Sequence, residues 1–126
     1  MKTSLFVLLG ILLWYVLVTL LDLPLRALLE GYRAAEPTFA FTLPMLLARL
    51  GISALATLAT GWLLQRLSGG RPRTVGLSAL LLLATLLPVH VSLWPRFPAW
   101  YHLAFLLTLV PLYLLGARVA AAHRNA

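Results

Sequence analysis

Four long apolar runs separated by three polar stretches organise this chain. The runs cover residues 3–21, 44–64, 74–93 and 98–121. At about 1.5 Å per residue, each can cross about 30 Å of hydrocarbon as a helix. Backbone polar groups in lipid have to be satisfied within their own segment, so each run is predicted to be helical. No stretch alternates polar and apolar positions as a membrane β-strand would. The expected fold class is therefore all-α: a polytopic membrane protein with four transmembrane helices, arranged as two antiparallel hairpins, in a single domain over residues 1–126.

The three connections differ in kind. Residues 22–43 hold every acidic residue of the chain, Asp22, Glu30 and Glu36, together with Arg26 and Arg33. Within them, LPLRALLEGYR starts at a proline suited to a first helical turn and reaches a stop signal at Gly31. This predicts a short interfacial helix between the first two spans. An Arg26–Glu30 pair on its surface would contribute only about 0.2–0.5 kcal/mol. The alternative is a first span that continues through a kink at Pro24. The second connection, QRLSGGRPRT, reads as a compact basic turn. In the third, HVSLWPRFPAWYH, Pro95 and Pro98 bracket a reversal, and Trp94, Trp100 and Tyr101 are expected where amphipathic rings settle, at the water–hydrocarbon boundary.

Composition makes the bilayer the expected solvent. Of the 126 residues 62% are hydrophobic and 10% charged, with a mean hydropathy of +0.96, against about 45–50% apolar and 25% charged in an ordinary globular domain. The net charge of +7 does not point to nucleic acid, because the basic residues sit at the ends of apolar runs. Lys2, Arg66, Arg71, Arg73, Arg118 and Arg124 fall on one side, and Arg26, Arg33 and Arg96 on the other. That bias predicts cytoplasmic N- and C-termini. Arginine-rich usage points to a bacterial inner membrane. The run from Leu5 to Leu21 exceeds an h-region of about 7–15 residues and is followed by Asp22-Leu23-Pro24 rather than a small-x-small site, so a retained signal anchor is expected. With no cysteine, disulfide, thiolate-metal and thiol redox chemistry are excluded.

Candidate chemistry gathers at the side opposite the termini. Arg49 lies about 7–8 Å inside the second span. Three roles are open to it: snorkelling to the headgroups, pairing with Asp22 or another carboxylate of the first connection, or binding an anion or lipid headgroup. Arg49, Ser53, Thr57 and Gly61 recur every fourth residue, and the last three form a small-xxx-small ladder on which another helix can pack closely. Gly116 and Ala120 in the fourth span form a weaker surface of the same type. His90 and His102 flank the third connection at similar depth, but spacing across a turn does not fix whether their rings meet. The candidate polar site comprises Asp22, Arg49, His90, Arg96, Tyr101 and His102.

Pro88 and Pro111 interrupt the third and fourth spans and free the carbonyls of Ala84 and Leu107, which Thr85 and Thr108 could help to satisfy. Hydrolytic triads, phosphate loops and paired carboxylates are missing, so no enzyme, metal or cofactor is expected. The favoured function is a non-enzymatic accessory or assembly subunit that packs on a partner through the second span. Partners would be the bilayer and either a second copy or another membrane protein, with no nucleic acid. The alternative is a small carrier or ligand-binding protein, dimeric because one four-helix bundle offers little interior. A two-histidine metal or haem protein is the remote alternative.

Overall fold

The computed structural model describes residues 2–125, and among these it is all-helical, with no strand. Five helices follow one another: α1 (Lys2–Leu28), α2 (Tyr32–Ala35), α3 (Leu43–Leu67), α4 (Pro72–Ser92) and α5 (Ala99–Asn125). Single 3-10 turns fill Glu36–Thr38 and Trp94–Arg96. Four of the helices, α1, α3, α4 and α5, are long and apolar enough to cross a membrane.

The first span does not stop at Leu21. It runs through Pro24 to Leu28, so the interfacial helix predicted to start at Pro24 is instead the last turn and a half of α1. Pro24 lacks the amide that would bond the Leu20 carbonyl. An i,i+4 ion pair from Arg26 Nε to Asp22 Oδ2, 3.2 Å long, brackets the proline and holds that turn. The chain then reverses at Gly31, whose φ of 80° suits a residue without Cβ. The short separate helix lies beyond that glycine. Glu30 falls in the turn, so Arg26 pairs with Asp22 and Glu36 in place of the expected Glu30.

Local signals explain the other boundaries. Thr42 has extended backbone and caps α3, with its amide directed at Met45 Sδ, 3.4 Å away. Gly69 and Gly70, at φ 73° and 83°, end α3 and turn the chain into Pro72. Pro88 and Pro111 interrupt neither α4 nor α5. The neighbouring threonines bond carbonyls other than the expected ones: Thr85 Oγ1 donates to Leu82 O at 2.8 Å and Thr108 Oγ1 to Ala104 O at 2.6 Å.

The long helices form a ring in the order α1, α3, α5, α4, and the α3–α5 contact is the most extensive. Glycines make that closeness possible. A Cβ on Gly61 would sit 2.0 Å from the Tyr113 carbonyl oxygen, and one on Gly116 would sit 2.1 Å from that of Leu58. Each glycine thus lies on the backbone of the opposite helix. The core between the helices is apolar, built around Trp14, Leu64, Leu82, Leu109 and Tyr113. Two buried polar ties cross it. Ser78 Oγ donates to Val7 O at 3.0 Å and lies 2.7 Å from the Tyr113 hydroxyl, which joins α4 to α1 and α5. Trp14 Nε1 donates to Thr57 Oγ1 at 2.9 Å, joining α1 to α3. The Ser53, Thr57 and Gly61 ridge is therefore buried within the chain, as is Ala120. The face left outside on α3 carries Leu47, Gly51 and Leu55.

Candidate functional site

At the end of the bundle carrying residues 29–42 and 93–98, polar side chains from all five helices converge. Arg49 enters from the second turn of α3. Its Nη1 donates to the Tyr32 hydroxyl at 2.8 Å and its Nε to the Tyr101 hydroxyl at 3.2 Å. The guanidinium carbon lies 4.7 Å from the centroid of the Phe41 ring. A half-buried cation needs such partners, because losing water is expensive in a low dielectric. No carboxylate pairs with it directly among the described residues. Instead Tyr32 passes the charge on by donating to Asp22 Oδ1 at 2.7 Å.

The other carboxylate oxygens are held by Arg26. Its Nε reaches Asp22 Oδ2 at 3.2 Å and Glu36 Oε1 at 2.8 Å, while Nη2 reaches Glu36 Oε2 at 2.9 Å. Tyr32 is fully buried. Burial, reinforced by the bond to Asp22 and opposed by the nearby Arg49 charge, pushes its phenol up to about 12. It stays a neutral hydroxyl that accepts from Arg49 and donates to Asp22 at the same time. Of the roles left open for Arg49, direct pairing with Asp22 is not what the structure shows: Tyr32 stands between the two.

His90, late in α4, and His102, in the first turn of α5, face one another with Nδ1···Nδ1 at 2.7 Å and rings near perpendicular at 85°. The 3-10 turn at Trp94–Arg96 and Pro98 set the reversal that brings them together. Trp94 stacks on His102 with centroids 4.6 Å apart, and Phe105 lies 4.5 Å from His90. A separation of 2.7 Å is that of a hydrogen bond. A metal ion held on opposite sides by two imidazoles would keep the nitrogens about 4 Å apart, twice a metal–nitrogen bond of about 2.0–2.1 Å. No group of three or more metal-ligating residues occurs among the described residues. In this structure the two imidazoles are bonded to each other through Nδ1.

Both clusters line one cavity of about 350 Å³, together with Asp22, Glu36 and Ser53. Aromatic rings from Trp14, Phe97, Tyr101 and Phe105 share its walls with aliphatic side chains. Of the six residues expected to form a polar site, Asp22, Arg49, His90, Tyr101 and His102 meet here. Arg96 does not: it is exposed, with its guanidinium carbon 5.8 Å from the Phe39 ring centroid. Tyr101 is buried rather than placed at a boundary, because it partners Arg49. Of the small residues, only Ser53 reaches the cavity; Gly61 and Gly116 belong to the α3–α5 seam.

Sequence reasoning missed Tyr32, Glu36 and Trp14. The available signal for the first two was their place in the segment that concentrates the acidic residues, and nothing local marked Trp14. Comparison of the chain with protein-family models, curated proteins and solved structures finds no match. The fold and the cavity define the chain as a small all-helical protein with four span-length helices and a polar cavity at one end.

Proposed function

We propose that the chain is a non-enzymatic, multi-pass protein of a bacterial inner membrane that binds a small ligand in this cavity. The observation that carries the reading is the convergence of charged and polar side chains from four helices on one volume of about 350 Å³. That size falls within the range of about 300–1,000 Å³ typical of small-molecule sites. Two antiparallel hairpins, α1–α3 and α4–α5, span the bilayer in this reading, with both termini cytoplasmic and the cavity toward the opposite face. The excess of Lys and Arg at the terminal side supports that orientation. All the lining residues come from one chain, which supports binding by a single copy. An assembly role for the second span would use its outer face, Leu47, Gly51 and Leu55, because the Ser53–Thr57–Gly61 ridge is occupied within the chain.

The test is extraction of the protein directly from membranes into polymer nanodiscs, followed by solvent extraction and mass spectrometry. Val89 lines the cavity yet is 44% exposed, so Val89→Trp plugs the rim without disturbing the core. Wild-type particles are expected to carry a small molecule near stoichiometry, depleted about fivefold or more in monodisperse Val89→Trp. Identical extracts from the two proteins would overturn the proposal.

A further inference from the structure

We infer that the cavity takes a neutral, planar head group bearing hydrogen-bond acceptors, such as a quinone or similar aromatic carbonyl compound; this rests on the ligand-binding reading above. The first argument is an inventory of unsatisfied hydrogen-bonding groups. Each carboxylate at the cavity already faces protein donors and a cation: Asp22 Oδ1 accepts from Tyr32, Glu36 Oε2 accepts from Arg26 Nη2, and Arg26 Nε lies 3.2 Å from Asp22 Oδ2 and 2.8 Å from Glu36 Oε1. Arginine has five N–H donors, and Arg49 uses only Nε and one on Nη1 within the described residues. The Tyr101 hydroxyl accepts from Arg49, and its own proton has no acceptor among them.

The histidine pair adds another donor. Two neutral imidazoles carry two protons on four nitrogens, and one proton occupies the Nδ1···Nδ1 bond. One Nε2 is therefore an N–H and the other a bare lone pair. His102 Nε2 is buried with no partner. A buried N–H without an acceptor is rarer than an under-used acceptor, so His102 keeps the lone pair there and donates through Nδ1. His90 then carries Nε2–H. The cavity thus offers spare donors from Arg49, Tyr101 and His90, while its carboxylates already face Arg26 and Tyr32, so the ligand that uses these donors presents acceptors.

Charge and shape narrow the class. Arg26 and Arg49 balance Asp22 and Glu36, so the lining is neutral overall, and an anion would bring an uncompensated charge into a low dielectric. A carbonyl oxygen avoids that cost. The rings of Trp14, Phe97, Tyr101 and Phe105, with the two imidazoles, form walls that suit a flat head. Val18, Ile52 and Leu86 continue the lining with aliphatic surface for an apolar substituent.

Binding to nanodisc-embedded protein by thermophoresis tests the inference, with decylubiquinone, its tail-less analogue and oleate as probes. Saturable 1:1 decylubiquinone binding, not displaced by oleate and weakened about tenfold in Tyr101→Phe, is the expected result. Arg49→Gln should weaken it at least as much, and Tyr101→Phe keeps the test open if that variant does not fold. Equal affinity for the tail-less analogue also supports the head-group chemistry and places the source in water. Saturable oleate binding without quinone binding would overturn the neutral-head inference while leaving the ligand-binding reading intact. Quinone affinity unchanged in both variants would overturn the assignment of donors. Failure of every probe, with identical extracts from wild type and Val89→Trp, would remove both.

Discussion

Gly61→Ala is the sharpest perturbation of this bundle. The added Cβ would lie 2.0 Å from the Tyr113 carbonyl oxygen, 2.9 Å from its carbon and 3.3 Å from the Ala117 nitrogen. A carbon–oxygen contact closes at about 3.3 Å, so the α3 and α5 backbones must separate by roughly 1 Å. The obstacle is backbone on a rigid helix, which cannot swing away as a side chain could. Alanine gains up to about 1 kcal/mol in helix propensity, but overpacking typically costs about 1–3 kcal/mol. The loosened seam also loses contacts along its length, including those at Gly116. A net destabilisation of about 1–2 kcal/mol is expected. Gly51→Ala supplies the control: its Cβ meets nothing within 4 Å, so propensity alone acts and the variant should be as stable as wild type or slightly more so. The assay is the fraction remaining monodisperse by size-exclusion chromatography after a heating series in one detergent. Gly61→Ala matching or exceeding Gly51→Ala would refute the backbone-contact argument.

Two further predictions concern buried hydroxyls. Tyr32→Phe removes the link between Arg49 and Asp22 and should cost about 1–3 kcal/mol, read by the same heating series. Its pH dependence has a definite sign. The folded-state phenol titrates near 12, against about 10 when unfolded, so its contribution is complete below about pH 10 and is lost as pH rises toward 12. Wild type should therefore lose stability over that window more steeply than Tyr32→Phe, and equal slopes would contradict the assignment. Ser78→Ala leaves the Tyr113 hydroxyl without its 2.7 Å partner and the Val7 carbonyl without its donor. About 1–3 kcal/mol should be lost. Adding Tyr113→Phe to Ser78→Ala should recover part of the loss, because it removes the orphaned phenol. A double variant worse than the sum of the two single variants would argue against the tie.

Much of the candidate site stood out in the sequence for one physical reason. Charged and titratable side chains inside apolar runs are costly, so Arg49, His90 and His102 drew attention wherever their rings and charges would finally point. Tyr32 drew none, because a tyrosine in a polar connection carries no such cost until folding buries it between Asp22 and Arg49. Arg96 was grouped with them because it sits between the two histidines in sequence; the 3-10 turn leaves it exposed beside Phe39, outside the cavity lining. The small-residue ladder was legible as a packing surface, but its occupant was not. Only the folded chain puts α5 there, leaving no room for a partner on that ridge.

The sequence by itself determined the four apolar helices and the three reversals, because span length, prolines and paired glycines act over a few residues. It did not determine how far α1 runs, since the cost of Pro24 is offset by an ion pair whose geometry appears only once the turn is built. The ring order α1, α3, α5, α4, the Nδ1···Nδ1 contact and the donor-rich cavity were decided by tertiary structure alone. Each depends on the rotation of helices about their own axes. That rotation is fixed by close backbone contact at Gly61 and Gly116 and by the buried Trp14 and Ser78 bonds, which join residues far apart in the chain.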